Sequence, residues 1–125
     1  MEPTSSFSGR EGHVGDPAIL GIVTVSDRAS KGESTDEGGP AILTFLLEAI
    51  KSPWTVVYRC VPDEVAAIQA ALVELVDVEH CSVVITTGGT GPAARDVTPE
   101  ATEAVCDRMM PGFGEQMRAI SLAYV

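Results

Sequence analysis

A chain of 125 residues, 45% of them hydrophobic and 21% charged, suits one ordinary globular domain near the lower size limit for a sheet covered on both faces. Eight Lys and Arg stand against 18 Asp and Glu, a net charge of −10 that argues against nucleic acid or an anionic membrane surface as partner. No run approaches the roughly eighteen apolar residues of a membrane span and no apolar signal core opens the chain, so the expectation is a cytoplasmic protein.

Residues 1–17 carry Gly, Ser, Pro and charge with a single Phe, and are expected to form a disordered tail before a domain over 18–125. Ile19–Ser26 is a near-continuous, β-branched apolar run, the pattern of a strand buried on both faces. Asp27–Gly39 is a polar, Gly-containing loop long enough to suggest a role in function. Pro40 opens a helix with Ile42, Leu43, Leu46, Leu47 and Ile50 at helical spacing. Trp54–Val61 is a second strand. Pro62-Asp63-Glu64 ends it and starts a helix whose Val65, Ile68, Leu72, Leu75 and Val76 share a face. Cys81–Thr87 is a third strand, followed by a glycine-rich loop and a helix from about Pro99 to Arg108. Met110-Pro111-Gly112 breaks the chain before a last helical stripe of Phe113, Met117, Ile120 and Tyr124. Strand and helix alternate throughout. This predicts an α/β fold with a mostly parallel sheet and helices on both faces, its ligand beyond the carboxyl ends of the strands.

Three segments follow strand ends and should meet on that edge: Ser26-Asp27-Arg28, Asp63, and Thr86–Asp96. In the last, Thr87-Gly88-Gly89-Thr90-Gly91-Pro92 is followed by Arg95-Asp96-Val97-Thr98-Pro99-Glu100. Glycines admit positive φ and close approach of a ligand to the backbone N–H groups, which together form a nest for phosphate or carboxylate. Thr98 as N-cap and Pro99 in the first turn would aim a helix dipole at the same place. The loop is neither a Walker A loop nor a G-x-G-x-x-G turn. Asp63 also fits a helix N-cap, Asp27 an Asx-turn and Asp96 a loop carboxylate satisfying N–H groups. Three carboxylates converging on an anion nest would instead need a divalent cation, and hard oxygens beside phosphate suit Mg²⁺. The strongly acidic balance points the same way, and equally fits a plain solubility trait. Arg28 or Arg95 could clamp the anion or simply face solvent. Cys60, Cys81 and Cys106 show no metal or redox spacing and read as buried free thiols, and neither His13 nor His80 has a catalytic partner. The residues alone carry the reading to Mg²⁺-assisted chemistry on, or binding of, a phosphorylated small molecule.

Five strings, in order, carry a resemblance: Val25–Ser30, Val61–Glu64, Thr86–Pro92, Arg95–Thr102 and Met110–Arg118. In these the chain resembles the molybdopterin adenylyltransferases of molybdenum cofactor biosynthesis, the Mog/MoaB type. The resemblance implies a three-layer α/β/α domain, commonly a homotrimer, that joins molybdopterin phosphate to the AMP moiety of ATP and releases pyrophosphate. It implies catalytic, metal-associated roles for Asp63 and Asp96, and a ligand pocket at Ser26, Asp27, Thr87, Gly88, Gly89, Thr90, Gly91, Arg95 and Thr98. Family members continue through a further strand and a Pro-Gly-rich loop, whereas this sequence stops at Val125. The expectation is therefore a domain incomplete at its C-terminus, lacking that strand and helix. A non-catalytic pterin- or nucleotide-binding module and a related nucleotide pyrophosphatase are the competing functions.

Overall fold

The computed structural model describes residues 16–125, so most of the tail expected over 1–17 lies outside the described residues. Three parallel strands form the sheet: β1 (Ala18–Val25), β2 (Trp54–Val61) and β3 (Val83–Thr87), in the order β2-β1-β3. The helices are α1 (Asp27–Ser30), α2 (Gly38–Ala49), α3 (Val65–Asp77), α4 (Thr98–Val105) and α5 (Pro111–Ser121), followed by a 3₁₀ turn, Leu122–Tyr124. This is the expected α/β architecture.

β1 is central because it is the strand that can be buried on both sides. Its Val23 and Val25 join Ile68, Ala71, Leu72 and Leu75 of α3 and Ala101 of α4 in one buried cluster. Its Leu20 and Ile22 point the other way and pack with Leu46 of α2 in a second. The period-2 alternation of a strand thus divides one apolar run between two helical layers. Val23, Ile68 and Leu75 are fully buried, each contributing roughly 1.5–3 kcal/mol of transfer free energy. Gly21 lies on the α3 face, where a Cβ would come within 3.1 Å of Leu75 and 3.2 Å of Cys81.

Register then sets the site. Val25 aligns with Val61 of β2, and Thr24 with both Cys60 and Thr87. All three strands therefore end at one level, and the chain leaves β1 toward β2 on one side while β3 flanks it on the other. The reversal of strand order falls between the C-terminal ends of β1 and β3, the place where open α/β sheets bind ligands.

Several local expectations shift. The polar loop after β1 contains the short helix α1, capped by the Ser26 hydroxyl accepting the Ala29 N–H at 3.1 Å. α2 begins at Gly38, two residues before Pro40, because the Asp36 carboxylate accepts the Gly39 N–H there. α4 ends at Val105, short of Arg108. The thiols are less buried than expected: Cys60 and Cys81 are half-buried and Cys106 is exposed, standing just past α4, where the chain has left the core. The stripe of Phe113, Met117, Ile120 and Tyr124 faces solvent, and α5 buries none of its residues.

Candidate functional site at the strand ends

The three post-strand segments do meet. The Asp27 N–H donates to Asp63 Oδ2 and the Asp63 N–H donates to Asp27 Oδ1, both at 2.9 Å, a reciprocal tie between the loops after β1 and β2. Arg95, from the loop after β3, closes the group by donating from Nε to Asp27 Oδ2 at 2.7 Å and from a terminal nitrogen to Oδ1 at 3.0 Å. The fork geometry of guanidinium and carboxylate makes this a bidentate pair.

That pairing bears on two of the residues expected to bind ligand. Arg95 is engaged with Asp27 rather than held open as an anion clamp, and Asp27 has its countercharge from the protein itself. Asp63 does not cap its helix either: Glu64 occupies the N-cap position without a side-chain cap bond, and the Asp63 carboxylate serves Asp27 instead. A capping bond satisfies one N–H locally, whereas the long-range bond satisfies an N–H of another loop and fixes two strand ends together.

The Arg95 hydrogen bonds, then the Asp63 N–H, hold the Asp27 carboxyl below its ordinary 3.8, at about 2. A carboxyl with a depressed folded-state pKa adds stability that is present above its ordinary value and lost as pH falls through the lower one. The window for this pair is therefore from about 4 down to about 2. Carbon-detected NMR titration should find the Asp27 midpoint near 2 in the native protein, rising toward the ordinary value in Arg95→Gln. A native midpoint near 4 would contradict the pairing.

The glycine loop is shaped by contacts that exclude side chains. Gly88 and Gly89 adopt φ of 94° and 69°. A Cβ on Gly88 would lie 2.2 Å from the Val25 carbonyl oxygen, and one on Gly89 would lie 2.3 Å from Thr98 Oγ1 and 3.3 Å from Asp63 Oδ1. Gly91 has no positive φ, and its constraint is different: a Cβ there would approach Asp96 Oδ2 at 2.8 Å. Asp63 and Asp96 thus border the loop at Gly89 and Gly91, while Asp96 Oδ2 also accepts the Ala93 N–H at 3.0 Å. Thr90 is exposed on the loop between them.

Thr98 is 2% exposed and opens α4, with Val97 rather than Thr98 at the N-cap. Its Oγ1 donates to the Gly88 carbonyl at 2.9 Å and its N–H donates to the Gly89 carbonyl at 3.0 Å. The hydroxyl is spent tying the glycine loop to the helix, because the Gly88 carbonyl ten residues back is offered to it where a cap would need an N–H. The start of α4 stays beside the loop as expected.

Between β1 and β3 lies a cavity of about 210 Å³, lined by Thr24, Val25, Ser26 and Ala29 on one side, Ser34–Gly38 on another, and Thr87 and Gly88. Hollows of about 520 Å³ along Leu43–Val56, and between α3 and the end of α4, touch none of the candidate site residues. Asp36 in the cavity wall is a site residue that sequence reasoning misses. Its carboxylate accepts hydroxyl hydrogen bonds from Thr24 at 2.8 Å and from Tyr58, and the Gly39 N–H at 3.2 Å. One signal was available: Thr24 stands in an otherwise apolar buried strand, and a buried hydroxyl needs a partner.

Among the described residues, no three acidic, His or Cys side chains form a group able to hold a metal by themselves. Of the three carboxylates expected on one cation, Asp27 is paired with Arg95, and Asp63 and Asp96 border the loop at Gly89 and Gly91. Two carboxylates beside a phosphate nest fit a cation completed by phosphate oxygens and water, the usual Mg²⁺ arrangement, rather than a protein-only cage.

Fold and site together define an α/β domain that gathers a glycine loop, a helix N-terminus and carboxylates at the switch point of its sheet. The chain belongs to the family described as "Probable molybdopterin binding domain", whose model matches residues 21–125. It is 57% identical over 106 residues to the molybdopterin adenylyltransferase of Escherichia coli K12, covering 85% of this chain and 54% of that protein. To the enzyme of the same name from Helicobacter pylori 26695 it is 51% identical over 106 residues, covering 60% of that protein. The chain thus spans between half and two thirds of these curated relatives. Its fold is similar to that of the crystal structure of the molybdopterin biosynthesis enzyme MoaB from Thermus thermophilus, with TM-score 0.74 and 41% identity, over 82% of this chain and 64% of that one. The tungsten cofactor synthesizing protein MoaB from Pyrococcus furiosus matches with TM-score 0.74 and 37% identity, over 87% of this chain and 65% of that one. The resemblance read from the five strings is borne out.

Proposed function

We propose that this chain adenylylates molybdopterin. A phosphate oxygen of molybdopterin bonds to the α-phosphorus of ATP, the bond from that phosphorus to the bridging oxygen breaks, and pyrophosphate leaves with the electron pair. The observation that carries the reading is the flanking of the Gly88–Gly91 nest by Asp63 and Asp96 at the β1–β3 switch point. Relatives 57% and 51% identical bear the name molybdopterin adenylyltransferase, which supports the same chemistry here.

Each part of the site has a task in this reading. The backbone N–H groups of Gly88, Gly89 and Gly91 hold phosphate oxygens, and α4 adds its positive end. Thr87, Thr90 and Ser26 offer hydroxyls toward the same ligand. Asp27 and Arg95 brace the loops, the pair being closed by its own hydrogen bonds. Asp63 and Asp96 would hold Mg²⁺, which when bound supplies neutralisation of the charge on the transferring phosphoryl group. Positioning two phosphates in line is most of what such transfer requires.

The reading also includes a cytoplasmic homotrimer. Exposed Phe45, Leu47, Phe113 and Met117 supply apolar surface that assembly would cover, and no helix among the described residues is long and apolar enough to cross a membrane. The test is incubation with molybdopterin, ATP and Mg²⁺, reading pyrophosphate and adenylylated pterin together. The proposal expects the two in equal amounts and dependence on both substrates. Ligand binding without pyrophosphate would mark a non-catalytic binding module instead, and pyrophosphate or phosphate formed from nucleotide without pterin would mark a pyrophosphatase.

A further inference from the structure

We propose that Tyr58, Asp36 and Thr24 form a clamp that holds residues 34–38 as a preformed wall of the cavity, making Tyr58 and Asp36 positioning residues for ligand capture. The inference concerns the site whose chemistry is proposed above, and its first readout stands without that chemistry.

Three elements converge on one carboxylate. Thr24 comes from the buried centre of β1, Tyr58 from the outer strand β2, and the Gly39 N–H from the first turn of α2, and all three donate to Asp36. Among the described residues, Asp36 is the one loop residue through which these elements are joined by side-chain hydrogen bonds. The packing around it is tight. A Cβ on Gly39 would fall 2.6 Å from Asp36 Oδ2, 2.7 Å from Tyr58 Cε1 and 3.0 Å from Thr24 Oγ1. Gly39 has no left-handed φ, so the space, not the backbone, demands glycine there. Burial pushes the Asp36 carboxyl up, but the bonds from Tyr58, Thr24 and the N–H groups of Gly39 and Gly38 outweigh it, leaving it lowered. Burial, then the bond to Asp36, push the Tyr58 phenol up. Both directions keep carboxylate and phenol in the protonation states the clamp needs.

What the clamp holds is the far wall of the cavity. Ser34, Thr35, Asp36, Glu37 and Gly38 face Ser26 and Gly88 across it. Lys31, Gly32 and Glu33 are tied to α1 by their backbone N–H groups, so the clamp's hold falls on the residues after them, of which Thr35 and Glu37 are exposed. A loop ordered before the ligand arrives costs nothing to order on binding, so its loss weakens capture without touching the groups around Asp63 and Asp96.

The experiment compares native protein with Tyr58→Phe, Thr24→Val, Thr24→Ser and Gly39→Ala by hydrogen exchange and by steady-state kinetics. Tyr58→Phe, Thr24→Val and Gly39→Ala should speed amide exchange over residues 34–39 roughly tenfold while leaving Leu43–Ala49 of α2 unchanged. They should raise KM for molybdopterin roughly fivefold and lower kcat less than about twofold. Thr24→Ser keeps the hydroxyl and should match the native protein in both. A role in stability alone would lower the active fraction, and so apparent kcat, without moving KM. Unchanged exchange over 34–39, or unchanged KM in Tyr58→Phe, overturns the proposal. If native protein forms no pyrophosphate, adenylylation fails as a function, and the exchange pattern by itself still decides the clamp.

Discussion

Asp63→Asn and Asp96→Asn are each expected to lower adenylyl transfer by roughly 10³-fold, with the protein still folded. Asn is the informative substitution because it keeps an oxygen for the N–H each carboxylate now accepts, from Asp27 and from Ala93 respectively, and removes only the charge. Loss of either charge would weaken the hold on the divalent cation that neutralises the phosphoryl oxygens in this reading. KM should change far less than kcat, since the amide nest and cavity wall are intact. The double variant should fall little below either single one, because both carboxylates serve one charge distribution. Circular dichroism and the thermal midpoint provide the folding control. A rate within tenfold of native in either single variant would remove that residue from the chemistry.

Gly88→Ala is expected to be the most damaging single added methyl group among the described glycines. The added Cβ would overlap the Val25 carbonyl oxygen at 2.2 Å, and φ of 94° is strained for any L side chain. The obstacle is backbone at the buried end of β1, which cannot swing aside as a side chain would. A cost of about 3 kcal/mol follows from the strain together with the forced displacement. Urea unfolding measures it, and Gly112→Ala is the matched control, since nothing lies within 4 Å of a Cβ at that position. The control should be neutral or slightly stabilising. Phosphate-ligand binding should fail in Gly88→Ala even where the fold survives, because the amides that form the nest will have moved.

The strands are legible because burial writes itself into composition. Trp54–Val61 matches the expectation to the residue, and Ile19–Ser26 lies one residue along from Ala18–Val25, since continuous β-branched runs admit little else. The glycine loop is legible for a related reason: clustered glycines mark places where a Cβ cannot go. Contacts between distant loops leave no such trace. Nothing local tells that Arg95 will pair with Asp27, 68 residues earlier, rather than face a ligand. Asp63 and Thr98 sit where helix caps are expected, and both are drawn into longer-range bonds that the folded edge offers. Asp36 escapes notice because its meaning depends on Thr24 and Tyr58, each from a different strand.

Backbone amide shifts of ¹⁵N-labelled protein, titrated separately with molybdopterin and with ATP in the presence of Mg²⁺, test the central claim most directly. At least one ligand should move the Gly88, Gly89, Thr90 and Gly91 resonances saturably, with those around Cys106 and Val83 unmoved. Saturable shifts confined to other parts of the chain, with the loop glycines silent to both ligands, would contradict it.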